Sequence, residues 1–333
     1  MILHPGILAL LVGSSISLLM LIYAASIGAV ILLRWDYNSS SAYQLTLERK
    51  TYLISSLVNY SFGFLICSSI LFIFTMEDIH RLFVGAMCAT GSFNANPVGW
   101  YILLTKITIF FLSGFWISLN SIDRESETYP LIKAKYLLLF VILPIIAADL
   151  YLQLSYFLGL DPDIITSCCG SLFGANEKSS FSTVTALPVL PSMLAFFSFA
   201  FILAAMICCA FFYQSALLRY LLLLWSALFF FLSIISIISF VSIYTYEMPM
   251  HHCPFDILQH HYGYIGYPLY ITLFCGVFFS LLPGIFQSLK KNHEVKTHLI
   301  AVEKKWLILS MANLFSFTIL VIYIIISSNL TLT

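Results

Sequence analysis

Thiol and imidazole groups are concentrated in three polar stretches that separate long apolar runs of the sequence. The set comprises Cys88, Cys168, Cys169, His251, His252, Cys253, His260 and His261. Thiolates and imidazoles act as nucleophiles, redox groups and ligands of soft or borderline metal ions. These eight residues are therefore the candidate site, and the four other cysteines fall within apolar runs, where a thiol behaves as a small hydrophobic group.

The four loop cysteines predict thiol–disulfide exchange, the chemistry of a membrane thiol-disulfide oxidoreductase. Cys253 would be the attacking thiol, because neighbouring imidazolium groups favour the thiolate. Cys168 and Cys169 would be the exchanging pair, since a disulfide between adjacent cysteines is strained and labile, and Cys88 would resolve it. The alternative is two static disulfides, and four cysteines allow three pairings. Position 256 is Asp, so Cys253 does not begin a Cys-x-x-Cys motif.

A metal site is the competing prediction for the same residues. His251, His252, His260 and His261 would bind the ion, with Cys253 as a soft ligand. Imidazole and thiolate suit copper or zinc, and imidazole pairs also ligate haem iron. A quinone is the further candidate cofactor for a redox function. No Cys-x-x-Cys-His motif occurs, which excludes covalent attachment of a c-type haem. The simpler alternative is that these histidines are only solvated.

The elements that carry these loops are predicted to be transmembrane helices. The chain has 333 residues, of which 61% are hydrophobic and 9% are charged, whereas soluble domains carry about 25% charged residues. About 20 apolar residues span a bilayer as a helix. We therefore predict an all-α, polytopic bundle that forms a single transmembrane domain over residues 1–333. Its eight helices are expected at 7–34, 52–75, 99–121, 136–159, 190–214, 219–245, 266–288 and 305–327.

The Lys and Arg residues predict the orientation of the bundle. Most of the 15 basic residues fall in the odd-numbered loops, and such loops face the cytoplasm. Among them, Lys135 is assigned to the third loop and Arg219 to the fifth. Both termini and all four loop cysteines would then be extracytoplasmic, in the cell (cytoplasmic) membrane. The zero net charge argues against nucleic acid as a partner.

Two charged residues are predicted to lie within the membrane. Lys106 and Asp149 fall at similar depth in the third and fourth helices. Ionisable groups at such positions are costly and usually pair. We expect an ion pair, or part of a proton path, beneath the cysteine loops.

The layout of cysteines at helix ends resembles membrane thiol-redox proteins of the disulfide-generating and disulfide-reducing kinds. Those families carry Cys-x-x-Cys or cysteines inside facing helices, and the loops of this chain have neither, so no residue role is transferred. The leading hypothesis is thiol–disulfide redox chemistry, or metal or haem handling, for exported redox proteins. One alternative is a non-catalytic subunit of a respiratory or transport complex, held by structural disulfides, with membrane lipid and other membrane or extracytoplasmic subunits as partners. Another is a transporter of a small solute or metal.

Overall fold

The fold is all-helical in the part of the chain that the structure describes. A computed structural model describes residues 3–36, 41–126, 129–161, 166, 187–291 and 293–330. These residues contain helices and connecting turns and no β-strand. Eight helices among them are long and apolar enough to cross a membrane. The predicted all-α architecture with eight long apolar helices is thus confirmed.

The eight long helices are named α1 to α8 in chain order. They are α1 Pro5–Arg34, α2 Ala42–Ile79, α3 Gly99–Arg124, α4 Ile132–Leu158, α5 Val189–Phe212, α6 Ala216–Ser236, α7 Gly266–Ile285 and α8 His293–Ser327. A short helix, Ala89–Asn94, precedes α3, and a second short helix, Ser242–Tyr246, extends α6. Proline stands at the first position of α1, where its missing N–H is not needed.

Two helices begin well before their predicted starts. α2 begins at Ala42 rather than 52, and α8 begins at His293 rather than 305. With 38 residues, α2 is about 57 Å long at 1.5 Å per residue, whereas the hydrocarbon core is about 30 Å thick. The extra turns are polar and project beyond the apolar segment. Hydropathy marks only the part of a helix that lies in lipid, so the prediction was wrong at these ends.

The chain divides into two compact units. Unit 1 comprises Met1–Ile79 and Phe93–Ile164, and unit 2 comprises His80–Ser92 and Ile165–Thr333. In unit 1, α1 packs on α2 and α4, and α3 packs on the same two helices, which closes a four-helix ring. An apolar core that includes Phe62, Trp116 and Tyr136 fills it.

Unit 2 repeats this arrangement with α5 to α8. There α5 packs on α6 and α8, and α7 packs on the same two helices. Its core is aromatic: the ring of Phe196 lies 5.8 Å from Phe229, 5.8 Å from Phe317 and 5.9 Å from Phe240. Contacts at these distances stabilise aromatic clusters beyond simple burial.

Large apolar side chains remain exposed along the outer faces of the long helices. Examples are Leu19, Tyr60 and Leu104 in unit 1, and Phe201, Phe231 and Ile326 in unit 2. A water-soluble protein rarely leaves such continuous apolar surface uncovered. These exposed apolar faces are suited to contact with membrane lipid.

Buried ion pairs tie helix ends in each unit. In unit 1, Nζ of Lys135 lies 2.7 Å from Oδ2 of Asp123. In unit 2, Glu303 is contacted by Arg219 and by Lys290, whose Nζ lies 2.7 Å from Oε2. Lys135 and Arg219 therefore lie in helices and are buried, which corrects their assignment to loops. The remaining basic residues alone then support the predicted orientation.

Candidate functional site

The candidate site is built from two loops of unit 2. The first loop begins with the 3₁₀ turn His80–Leu82 and ends in the short helix Ala89–Asn94. Gly85 has φ +83°, and a Cβ at this position would lie 2.8 Å from the carbonyl oxygen of Thr166. The N–H of Thr166 in turn donates to the carbonyl of Val84 at 3.0 Å. Glycine at position 85 therefore lets the loop turn and deliver Cys88 to the start of the short helix.

The second loop follows a change of helix type at the end of α6. Residues Ile237–Val241 form a π-turn, and Ser242 Oγ donates to the carbonyl of Ile237 at 2.7 Å. The helix ends where Glu247 takes φ 55°. Tyr246, in the last turn before this point, donates its hydroxyl to the carbonyl of Cys253 at 2.5 Å. The same hydroxyl accepts the N–H of Ile257 at 2.9 Å, so one side chain fixes the loop at two points.

Cys88 and Cys253 lie side by side in this cluster. Their Sγ atoms are 3.5 Å apart, although 165 positions separate them in the sequence. Both residues are fully buried. A disulfide bond requires about 2.05 Å, so the two sulfurs are in contact without being bonded. No disulfide joins any two cysteines of the described residues.

Two polar groups contact the sulfur of Cys253, a backbone N–H and a hydroxyl that can donate or accept. Thr90 Oγ1 lies 3.3 Å from Sγ, and the N–H of Phe255 donates to it at 3.4 Å. Donors of this kind stabilise the negative charge of a thiolate. Tyr270 holds the same turn by donating its hydroxyl to the carbonyl of Pro254 at 2.7 Å.

Asp256 completes the cluster from the same loop as Cys253. One ligand atom each from Cys88, Cys253 and Asp256 all lie within 4.8 Å of one another. Oδ2 of Asp256 is paired with Nε2 of His251. Oδ1 is buried and has no hydrogen-bond partner among the described residues. A buried carboxylate oxygen without a donor is costly, which makes this atom chemically notable.

The four predicted metal-binding histidines do not converge. Nε2 of His251 is hydrogen-bonded to Oδ2 of Asp256. His252 donates from Nδ1 to the carbonyl of Ile238 at 3.0 Å. His260 and His261 are exposed, with ring centroids 6.2 Å apart. The described Cys/Asp cluster contains none of the four imidazoles as a ligand. A single four-imidazole ligand set is therefore not formed.

Burial affects two titratable groups near the cluster. It lowers the pKa of His252, and the nearby His251 acts in the same direction. It also raises the pKa of Tyr262, with further contributions from the charges of Asp256 and Cys253. Both shifts favour the neutral forms of these side chains.

The remaining cysteines are not part of the described cluster. Cys168 and Cys169 lie outside the described residues, so their predicted roles as exchanging pair stay predictions. Cys67, Cys208 and Cys209 are exposed on α2 and α5, and Cys275 is partly buried on α7. These four cysteines lie within apolar helices, where a thiol behaves as a small hydrophobic group.

Lys106 and Asp149 meet inside unit 1. Nζ of Lys106 lies 2.9 Å from Oδ2 of Asp149, and both side chains are almost fully buried. Asp149 also accepts hydrogen bonds from Thr105 and Gln153, each at 2.7 Å. The side-chain amide of Gln153 also donates a hydrogen bond to Oγ of Ser14 on α1 at 3.4 Å. The carboxylate is thus held by three partners from two helices.

Sequence reasoning did not assign a role to Asp256 or Thr90. Asp256 stands three positions after Cys253, where the second cysteine of a Cys-x-x-Cys motif would be. That spacing was a signal, because a carboxylate can take a thiolate's place as a ligand. Thr90 carried no comparable signal, since its position depends on how the first loop folds.

The fold and the cluster together define a class: an integral, multi-pass α-helical membrane protein with a buried thiol–carboxylate cluster in its loops. No protein-family model, curated protein or solved structure matches the chain.

Proposed function

We propose that this protein is a membrane thiol-disulfide oxidoreductase whose Cys88–Cys253 pair cycles between a dithiol and a disulfide. The observation that carries the proposal is the Sγ–Sγ distance of 3.5 Å between residues 165 positions apart. A disulfide between them would shorten this distance to about 2.05 Å. Chance burial of two cysteines in mutual contact is a weaker explanation than a selected pair.

The surroundings of Cys253 support its role as the attacking thiol. The N–H of Phe255 donates to its sulfur, and the hydroxyl of Thr90 lies 3.3 Å from it, so both groups are placed to donate to the thiolate that performs exchange. Cys88 is then the resolving thiol that closes the intramolecular disulfide.

Burial of the pair favours a small partner. Neither Cys88 nor Cys253 has exposed surface, and a thiolate must reach a sulfur atom of its partner directly. In the proposed step a small disulfide accepts two electrons and two protons from the two thiols. One S–S bond of the partner breaks, the Cys88–Cys253 bond forms, and two small thiols leave.

The basic residues outside the buried ion pairs support an extracytoplasmic location for the cluster. Arg34, Arg49 and Lys50 lie at the opposite ends of α1 and α2 from the segment that carries Cys88. Under the positive-inside rule that opposite end is cytoplasmic. The extracytoplasmic side of the cell membrane permits disulfide formation.

Oxidation of the purified protein tests the redox proposal. The protein in mild detergent is treated with diamide or with reductant, denatured, alkylated and digested. We expect a Cys88–Cys253 linked peptide after oxidation and its loss after reduction, with Cys275 alkylated in both samples as an internal control. Two outcomes overturn the proposal: both cysteines remain alkylated after oxidation, or each is bonded instead to Cys168 or Cys169, which would indicate static disulfides.

Labelling from one side of the membrane tests the orientation. Cysteine introduced at Asn329 should react with an impermeant maleimide on intact cells, and cysteine at Ser41 should react only after the cells are opened. Signal from the native cysteines is measured in the parent protein and subtracted. The reverse pattern would place the cluster in the cytoplasm and refute this part of the proposal.

A further inference from the structure

We propose that Cys88, Cys253 and Asp256 form a binding site for a divalent, thiophilic transition metal of the zinc class. The inference rests on the proposed function in one respect: the dithiol state of the pair is the metal-binding state. Disulfide formation removes two of the three ligands, so the two states exclude each other.

The distances fit a tetrahedral ion. With Zn–S bonds of about 2.3 Å, two thiolates on a tetrahedron lie about 3.8 Å apart, and a thiolate and a carboxylate oxygen lie about 3.5 Å apart. The two Sγ atoms are 3.5 Å apart, and all three ligand atoms lie within 4.8 Å of one another. An ion can therefore be placed among them with small side-chain adjustments.

The unpartnered oxygen of Asp256 points independently to a cation. Asp256 is 6% exposed, and its buried Oδ1 accepts no hydrogen bond from the described residues. Its other oxygen is held by His251. A histidine–carboxylate contact of this kind orients a metal ligand from behind. One oxygen of the carboxylate is thus held by His251, and the other is a buried acceptor without a donor among the described residues.

Charge and ligand type favour a divalent ion over a monovalent one. Two thiolates and one carboxylate carry three negative charges when they bind a metal, because ligands bind in their deprotonated forms. A divalent ion leaves one negative charge in this buried site, and a monovalent ion leaves two, at higher cost. Soft monovalent copper also prefers sulfur to a carboxylate oxygen.

The hydrogen bonds at Cys253 fit the same role. The N–H of Phe255 and the hydroxyl of Thr90 face a sulfur that would carry negative charge when it binds a metal. Three protein ligands are the number found in zinc sites that keep one position for water or an incoming ligand. A metal at these three residues would therefore keep one coordination position for water or an incoming ligand.

Metal binding to the reduced full-length protein tests the site. The protein is reduced without oxygen, incubated with Zn²⁺ or Co²⁺, desalted and measured for bound metal by mass spectrometry. We expect one tightly held Zn²⁺ per chain, and thiolate-to-metal charge-transfer absorption with Co²⁺. Asp256→Asn, which preserves shape, should weaken binding by at least the roughly 10- to 100-fold typical of supporting groups. His260→Ala/His261→Ala and Cys275→Ser, which change groups outside the cluster, should leave affinity unchanged.

Separate outcomes distinguish failure of this inference from failure of the redox proposal. Wild-type protein oxidised with diamide should lose the metal, which tests the thiols without a mutation that could impair folding. If the disulfide forms but the reduced protein binds no metal, the metal site is refuted and the redox pair stands. If metal binds but no disulfide forms, the redox proposal fails alone. Unchanged Zn²⁺ affinity in Asp256→Asn, or loss of metal from the His260→Ala/His261→Ala variant, would each overturn the assigned ligand set.

Discussion

Replacing Asp149 with Asn should strongly destabilise unit 1, because it leaves the ammonium of Lys106 buried without its counter-charge. The two side chains are 2% and 1% exposed, and their charged atoms lie 2.9 Å apart. At an effective dielectric constant of about 20, that separation corresponds to an attraction of about 6 kcal/mol. Desolvation offsets part of this, and losing one partner of a buried pair costs about 3–5 kcal/mol.

The geometry of the pair lets Asn keep the hydrogen bonds while it removes the charge. Oδ2 of Asp149 faces both Lys106 and the amide of Gln153, which donates to it at 2.7 Å. An Asn oxygen at that position can accept from both, and its N–H₂ then faces the hydroxyl of Thr105, which can accept while it donates to the carbonyl of Ile102 at 2.9 Å. The substitution therefore tests the loss of the counter-charge. For a domain of this size, about 3–5 kcal/mol corresponds to a melting temperature lower by roughly 6–20 °C.

The assay is thermal unfolding in mild detergent, followed by circular dichroism and by the monodisperse fraction on size exclusion after heating. The double variant Lys106→Met/Asp149→Leu should recover most of the loss, because apolar replacement of a buried pair is often neutral or stabilising. Lys50→Met, at an exposed position of α2, is the matched control and should shift stability by less than about 0.5 kcal/mol. The reasoning is refuted if Asp149→Asn melts within about 2 °C of wild type, or if the double variant melts as low as the single one.

Three further substitutions test contacts within the units. Arg219→Lys should destabilise unit 2 by about 1.5–3 kcal/mol, because Arg219 contacts both carboxylate oxygens of Glu303 and lysine cannot make a two-pronged contact; unchanged thermal unfolding would contradict this. Gly276→Ala should cost about 1–3 kcal/mol, since its Cβ would lie 2.8 Å from the side chain and 3.1 Å from the backbone nitrogen of Leu314. Gly63→Ala, where a Cβ meets nothing within 4 Å, should instead stabilise by roughly 0.5–1 kcal/mol; equal effects of the two alanines on the melting temperature would refute the packing argument.

The long helices were predictable because a bilayer admits very few solutions. Each crossing segment must satisfy its own backbone hydrogen bonds, so an apolar run of sufficient length becomes a helix. The same logic fails at the polar ends of α2 and α8, where a helix in water carries no hydropathy signal. It also fails for Lys135, whose partner Asp123 lies across the turn between α3 and α4. A burial of that kind depends on packing, which charge counting does not detect.

The candidate site was predictable only at the level of residue type. Thiol chemistry in the loops drew attention to Cys88 and Cys253, and the structure brings these two together. The adjacent histidines in the sequence suggested a joint ligand set, yet the loop turns away after Leu258 and leaves His260 and His261 exposed. The direction of an irregular loop depends on contacts such as those of Tyr246. Such contacts have no sequence periodicity from which they could be read.

The π-turn Ile237–Val241 gives α6 an unusual sensitivity to chain length. Removing one residue there would restore regular α-helix, and each residue turns a helix by about 100° and advances it by about 1.5 Å. Tyr246 would then leave the position from which its hydroxyl binds the carbonyl of Cys253 and the N–H of Ile257. In this chain, a deletion in a turn that contains none of the cluster's residues would disassemble the cluster while leaving every one of them in the sequence.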